Sequence, residues 1–97
     1  MTAITVTEIS YEDVPQTLVT GTSKRRVKIY FRGTVAAGGS GTHDLSANIP
    51  GLADIEGVVY STDDNANTAY TNTTWSTTTI TVVAVGAAEV CLIGTLT

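Results

Sequence analysis

Threonine content and the spacing of glycine and proline restrict this chain to one structural class. The 97 residues include 19 threonines, and residues branched at Cβ suit pleated strands better than helices. Glycine or proline interrupts the chain at short intervals, and no stretch keeps an apolar repeat of 3.6 residues. Short strands with frequent turn signals are typical of sandwiches and barrels. We therefore predict an all-β fold over residues 1–97: a single-domain antiparallel β-sandwich, jelly-roll-like or a partly open barrel, of about six to eight strands.

Charged residues are few and unevenly placed. They make up 14% of the chain, against about 25% in typical soluble domains, and a small domain with so few charges often hides more of its surface by self-association. Residues 1–32 hold all five cations and three acids, whereas residues 33–97 hold six acids and no cation. The pI near 4.6 argues against a general nucleic-acid coat, which usually needs a basic domain.

The clearest predicted strand runs from Arg26 to Val35 and alternates with a period of two. Its apolar side consists of Val27, Ile29, Phe31 and Val35. Its polar side, together with the preceding arginine, forms our candidate partner-binding set: Arg25, Arg26, Lys28, Tyr30 and Arg32. The set is predicted to contact a protein, including acids of another copy such as Asp54, Glu56 or Asp64. One alternative is a solvated strand whose charges prevent edge pairing. The other is contact with a nucleic-acid backbone, which the remaining acids of the chain would repel.

A hairpin is predicted near the end of the sequence. Its arms are Thr77–Val85 and Glu89–Leu96, and Gly86 opens the turn between them. The first arm is largely apolar on both faces near its end, and the second arm is apolar on both faces. We therefore expect burial on both sides, with another copy as a candidate cover for one of them. Leu45–Leu52 is predicted to be irregular or a short 3₁₀ crossing. Weaker strands are predicted in four further segments: Ala3–Ile9, Thr17–Thr22, Asp54–Ser61 and Ala69–Trp75.

No segment of the chain predicts catalysis or a cofactor. The glycine-rich loop before His43 leads into no helix, so it is not a phosphate cradle. His43 and Asp44 are adjacent on an extended segment and would point apart, which disfavours a catalytic pair. One histidine and one cysteine cannot by themselves supply a zinc site. The run Asp63–Asn67 leaves two interpretations open, a calcium loop or a solvated turn.

Two single residues have structural predictions. Cys91, the one cysteine, is expected to be an unreactive thiol in a buried strand. Trp75, the one tryptophan, is expected to fill the core, with an anchor at an interface as the alternative.

The sequence has no signal-peptide pattern and no apolar run near the roughly 20 residues of a membrane span, so we expect a cytosolic protein that contacts no membrane.

One stretch resembles a segment common in small structural proteins of tailed bacteriophages. In Arg32–Tyr60 a strand ends in Gly33-Thr34, a Gly38-Gly39 loop follows, and an Asp44-Leu45 step precedes an apolar strand. The closing run Val90–Leu96 resembles the terminal strand of those proteins. The resemblance covers about residues 26–97.

This resemblance implies a virion component made in the host cytoplasm. The expected role is a capsid decoration (cement) protein, a homo-oligomer with a trimer favoured, that binds the major capsid protein or another virion protein at the capsid surface and binds no nucleic acid. Residues 1–12 are a candidate N-terminal arm for that contact. The alternatives are a neck or tail accessory protein and a non-viral, lectin-like adhesive module.

Overall fold

The computed structural model describes residues 2–14, 25–35, 40–63, 72–83 and 86–96, and it confirms the β-sandwich. These residues form eight strands and one 3₁₀ helix, Leu45–Ala47. The strands are β1 (Thr2–Ala3), β2 (Thr5–Asp13), β3 (Arg25–Val35), β4 (Gly41–Asp44), β5 (Leu52–Asp63), β6 (Asn72–Ser76), β7 (Thr79–Val83) and β8 (Gly86–Leu96). The front sheet has the order β2-β3-β8-β5, and the back sheet has the order β1-β4-β7-β6. Neighbouring strands are antiparallel, except that β1 pairs in parallel with β4.

The hydrophobic core lies between the two sheets. The predicted alternation of β3 is confirmed, because its apolar side chains face the core and are at most 2% exposed. Residues of β8 with the same orientation, Val90 and Leu92, are fully buried beside them. Ile80 and Val82 of β7 close the core from the back sheet. Burying each such side chain contributes about 1.5–3 kcal/mol. β3 and β8 are the two central strands of the front sheet.

The chain changes sheets at its N-terminal end. β1 belongs to the back sheet and β2 to the front sheet, and Ile4 lies between them with its side chain in the core. The Ile4 amide donates a hydrogen bond to the Thr42 carbonyl at 2.9 Å. Residues 5–13, which include most of the predicted arm, pair with β3 as an edge strand. A contact between this segment and a capsid shell stays a prediction.

A short turn between β6 and β7 is held from two other segments. Thr77 has a φ of 56°, a left-handed conformation that costs a non-glycine residue about 1–2 kcal/mol. Its carbonyl accepts a hydrogen bond from the Ile55 amide at 2.7 Å, and the Thr78 carbonyl accepts one from the Leu45 amide at 2.9 Å. These two hydrogen bonds help to keep the strained turn in place. They also join it to β5 and to the 3₁₀ helix, whose prediction is confirmed.

The predicted hairpin near the end of the sequence is wrong. β7 pairs with β4 and β6 in the back sheet, whereas β8 pairs with β3 and β5 in the front sheet. Gly86, predicted in the turn, is the first residue of β8. Alternation fixes which side chains face the core, but it does not choose the neighbouring strand. Two consecutive apolar strands can therefore belong to opposite sheets of a sandwich.

The structure also corrects the prediction for Trp75. This residue lies on β6, an edge strand of the back sheet, and its side chain is 41% exposed, so it does not fill the core. Two further predictions lie outside the described residues: the strand Thr17–Thr22 and nearly all of the calcium loop at Asp63–Asn67.

Candidate partner-binding face

The side of the front sheet that points away from the core is here named the front face. Cross-strand register places its residues in rows that run across β2, β3, β8 and β5. The first row is Glu8, Arg32, Glu89 and Thr62. The second row is Ser10, Tyr30, Cys91 and Tyr60. The third row is Glu12, Lys28, Ile93 and Gly57, and the fourth is Arg26, Thr95 and Asp54 on β3, β8 and β5.

Acids from other strands of the front sheet lie beside the arginines of the front face. Arg32 Nε lies 3.4 Å from a carboxylate oxygen of Glu89, and Arg26 Nε lies 3.1 Å from one of Glu56. The other Glu56 oxygen accepts a 2.6 Å hydrogen bond from the Thr95 hydroxyl, which places this carboxylate over β8. Both arginine side chains are about half exposed, so each ion pair contributes only about 0–1 kcal/mol. The front face therefore carries both signs of charge.

The centre of the front face is aromatic and apolar. The Tyr30 hydroxyl donates to a Glu12 oxygen at 3.4 Å, and Lys28 Nζ lies 5.8 Å from the centre of the Tyr30 ring. Tyr60, on the other side of Cys91, is 39% exposed, whereas Cys91 itself is fully buried. Burial raises the pKa of the Cys91 thiol. The thiol is thus protonated and poorly nucleophilic at neutral pH, which agrees with the structural role predicted for it.

Next to the tyrosines lies a shallow depression of about 360 Å³. Lys28, Ile93 and Val59 line it, and Val59 is 53% exposed. On one side β5 has irregular register next to Val59 and a glycine opposite Ile93. On the other side Glu12, Asp13 and Val14 line the depression. Burial was predicted for both sides of β8. On the front-face side it is complete at Cys91 and partial at Ile93.

The structure brings most of the predicted set together. Arg26, Lys28, Tyr30 and Arg32 share the front face, whereas Arg25 lies at the end of β3 on the other side by alternation and pairs with Asp13 at 3.0 Å. Sequence reasoning missed the Arg32 partner Glu89 and the exposed Tyr60. Each comes from a strand distant in sequence, so only the register could have indicated it. Of the acids named in advance, Glu56 lies beside Arg26 within the same chain.

The segment around His43 forms hydrogen bonds that fix a turn. His43 Nε2 lies 2.6 Å from the Asn48 side-chain oxygen, and its ring packs 5.6 Å from the Phe31 ring, centre to centre. Asp44 instead caps the 3₁₀ helix, where one of its oxygens accepts hydrogen bonds from Ser46 and from the Thr78 hydroxyl. As predicted, His43 and Asp44 do not pair. Among the described residues, no group of three or more His, Cys, Asp or Glu side chains is placed to hold a metal ion.

The Asp44 cap predicts a pH-dependent part of the stability. Hydrogen bonds from Ser46 and Thr78 hold the pKa of Asp44 below its ordinary value of 3.8. The stabilisation is therefore complete above that value and is lost as pH falls through the lower folded-state pKa. Asp44→Asn keeps a capping side chain but removes the charge. We expect it to lower the free energy of unfolding at about pH 7 and to differ less from wild type at about pH 2.

Urea unfolding at both pH values measures this difference. Thr78→Val, which removes one hydroxyl donor and nearly keeps the side-chain shape, is expected to reduce the pH dependence partway. A stability difference between wild type and Asp44→Asn that stays constant from about pH 7 to pH 2 would contradict the role of the charge.

Comparison of the chain with protein-family models, with curated proteins and with solved structures gives no match. In the part of the chain that the structure describes, no helix has the length and apolar character needed to cross a membrane.

Proposed function

We propose that this chain is a non-enzymatic structural protein of a tailed-bacteriophage particle, a capsid decoration protein that associates with itself and stabilises the head lattice. The front face is its protein-contact surface. The sequence resemblance supports the virion role, and the β-sandwich is compatible with it.

The composition of the front face is the observation that carries the proposal. Specific protein interfaces combine an apolar, aromatic centre with a polar rim and are enriched in tyrosine and arginine. The front face has Tyr30, Tyr60 and Ile93 at its centre and the pairs Arg32–Glu89 and Arg26–Glu56 toward its two ends. Solubility alone does not require a 39% exposed tyrosine, Tyr60, and a half-buried one, Tyr30, between the charged rows.

The architecture suits a protein that reinforces a larger assembly. The core links both sheets, and hydrogen bonds tie the turn between β6 and β7 to β5 and to the 3₁₀ helix. A rigid subunit loses little conformational entropy when it binds. Many identical copies on a regular lattice then add their individual contacts through a high effective concentration.

The virion role is tested on phage particles purified from a host culture that carries the phage genome encoding this chain. We expect mass spectrometry to find the chain in purified particles and electron cryo-microscopy to place it on the outside of the head. A chain absent from the particles would overturn the virion role. Density at the neck or tail would overturn the decoration role.

Charge reversal tests the contact face. The double variant Arg26→Glu/Lys28→Glu is expected to weaken self-association in low salt by about tenfold or more, because like charges at an interface cost several kcal/mol. The control is Thr79→Glu/Thr81→Glu, which adds two negative charges to the back sheet, against a change of four charge units in the front-face variant. Sedimentation equilibrium measures self-association, and added salt is expected to reduce the difference between variant and wild type. Unchanged self-association and unchanged particle binding in the front-face variant would remove the front face from the proposal.

A further inference from the structure

We propose that the front face binds the front face of a second copy of this chain, about a two-fold axis that runs along the strands between β3 and β8. The inference rests on the proposed function only in taking the front face as a protein contact. It adds the identity of the partner and the geometry of the contact.

The arginines of the first and fourth rows meet carboxylates of the second copy under this rotation, whereas Lys28 of the third row faces Ile93. A rotation of 180° about this axis places β3 of one copy opposite β8 of the other. Each row of one copy then faces the same row of the other copy. Arg32 on β3 then faces Glu89 on β8 of the second copy, and the reverse pair forms by symmetry. Each arginine of the first row thus lies between two carboxylates, one in its own chain at 3.4 Å and one in the other.

The fourth row also pairs an arginine of one copy with a carboxylate of the other. Glu56 reaches over β8 through its hydrogen bond to the Thr95 hydroxyl. The rotation therefore places this carboxylate opposite Arg26 of the second copy. The charges nearest the axis then form two groups of four, one toward each end of the contact, with Glu8 and Asp54 outside them. An ion pair at a rim fixes orientation more than it adds affinity.

Side-chain size is complementary as well. The second row reads small, large, small, large across the sheet: Ser10, Tyr30, Cys91, Tyr60. The rotation reverses the order of the strands, so Tyr30 faces Cys91 and Tyr60 faces Ser10 of the second copy. Tyrosine is a frequent anchor residue of protein interfaces. The contact would then bury the exposed part of Tyr60 at its side, on the edge strand β5.

Other arrangements and partners fit less well. A two-fold axis across the strands would place Arg26 opposite Arg32, which is repulsive. A nucleic-acid backbone or a uniformly acidic protein would meet Glu12, Glu56 and Glu89 as well as the cations. The resemblance implies a trimer, but a contact of one face with itself is two-fold, so the solution species expected here is a dimer.

The size of the face sets the expected strength. Four strands about 4.8 Å apart and four rows about 6.8 Å apart cover roughly 500 Å² per copy. Both copies together bury roughly 1,000 Å², the lower end for a specific interface. We therefore expect a reversible dimer, with concentration-dependent dissociation between about 1 μM and 1 mM.

Charge exchange between two variants tests the pairing. Arg32→Glu alone would make every charged residue of the first row acidic, six in the two copies together. Glu89→Arg alone would bring four cations together, with the two copies of Glu8 beside them. Each is expected to weaken its own dimer by about tenfold or more. An equimolar mixture of the two variants restores opposite charges across the contact, and so does the double variant Arg32→Glu/Glu89→Arg. Sedimentation equilibrium at several concentrations measures each dissociation constant, and circular dichroism verifies that every variant is folded.

The outcomes separate the two proposals. Loss of the dimer in each single variant, with recovery in the mixture and in the double variant, supports the two-fold contact. A wild-type trimer, a monomer at about 1 mM, or single variants that associate as wild type does would overturn it. Should either single variant fail to fold, the double variant still decides, because a folded double variant that does not dimerise also overturns the contact. A dimer with no copies in purified particles would overturn the virion role and leave this contact standing.

Discussion

Replacing Phe31 with alanine is expected to lower the free energy of unfolding by about 3–5 kcal/mol, the range for removing a buried aromatic side chain. Phe31 is 1% exposed on the core side of β3, and its ring lies near that of His43 on β4. The side chain therefore connects the front sheet to the back sheet. A domain of this size has a total stability of roughly 5–15 kcal/mol, so much of it depends on this one ring.

Urea unfolding at fixed protein concentration measures the effect as a lower transition midpoint with an unchanged slope. Phe31→Leu, which leaves a smaller cavity, is expected to cost less than Phe31→Ala. Tyr11→Ala is the matched control, since Tyr11 is an aromatic residue that is 43% exposed on the edge strand β2. If Phe31→Ala cost less than about 1 kcal/mol, the two sheets would not pack together at this ring.

The strand at the centre of the fold could be predicted because its signal is local. In Arg26–Val35 every second residue is apolar or is Gly33, and the structure buries that side. The short 3₁₀ helix could be predicted for a related reason, since Pro50 and Gly51 end any regular structure there. Both predictions use only the order of residues that are neighbours in the sequence, and this order is known without the structure.

The sheet partners could not be predicted, because they depend on distant segments. Nothing in the composition of β7 and β8 distinguishes a hairpin from a crossing between sheets, and the crossing is what the structure has. The prediction that Trp75 fills the core was wrong for a similar reason. A large aromatic residue is usually well buried, but its exposure depends on its strand being at an edge of the back sheet.

In the candidate site, too, the part set by one strand could be predicted and the part set by strand pairing could not. One strand supplies Arg26, Lys28, Tyr30 and Arg32, so their common side followed from alternation. The acids that balance them come from β2, β5 and β8, and the sequence separation from Arg32 to Glu89 is 57 residues. A surface that is cationic as a single strand becomes mixed once the sheet is assembled. The partner that fits it then changes from a uniformly acidic surface to one that carries both charges.

Adding one methyl group to Gly33 or Gly94 is expected to lower the free energy of unfolding by about 1–3 kcal/mol, the usual range for overpacking a core. A Cβ atom on Gly33 would lie 2.5 Å from Ile4 Cγ2 and 3.1 Å from the Thr5 carbonyl oxygen. A Cβ atom on Gly94 would lie 2.8 Å from Leu52 Cδ1. Gly57 supplies the matched control, because no atom lies within 4 Å of its Cβ position. Gly57→Ala is expected to be neutral or to stabilise by up to about 1 kcal/mol through the unfolded state.

Local hydrogen exchange separates the two destabilising variants. The methyl group of Gly33→Ala presses on the place where the chain passes from β1 to β2, so the Ile4 amide should exchange faster than the loss of global stability explains. Gly94→Ala acts on β5 instead and should change that amide only through global stability. If both variants speed the exchange of the Ile4 amide equally at equal stability, the close approach at Gly33 is not what holds the N-terminal crossing. If they differ as expected, the glycine is required there because the backbone of β2 and the side chain of Ile4 occupy the space that a side chain would need.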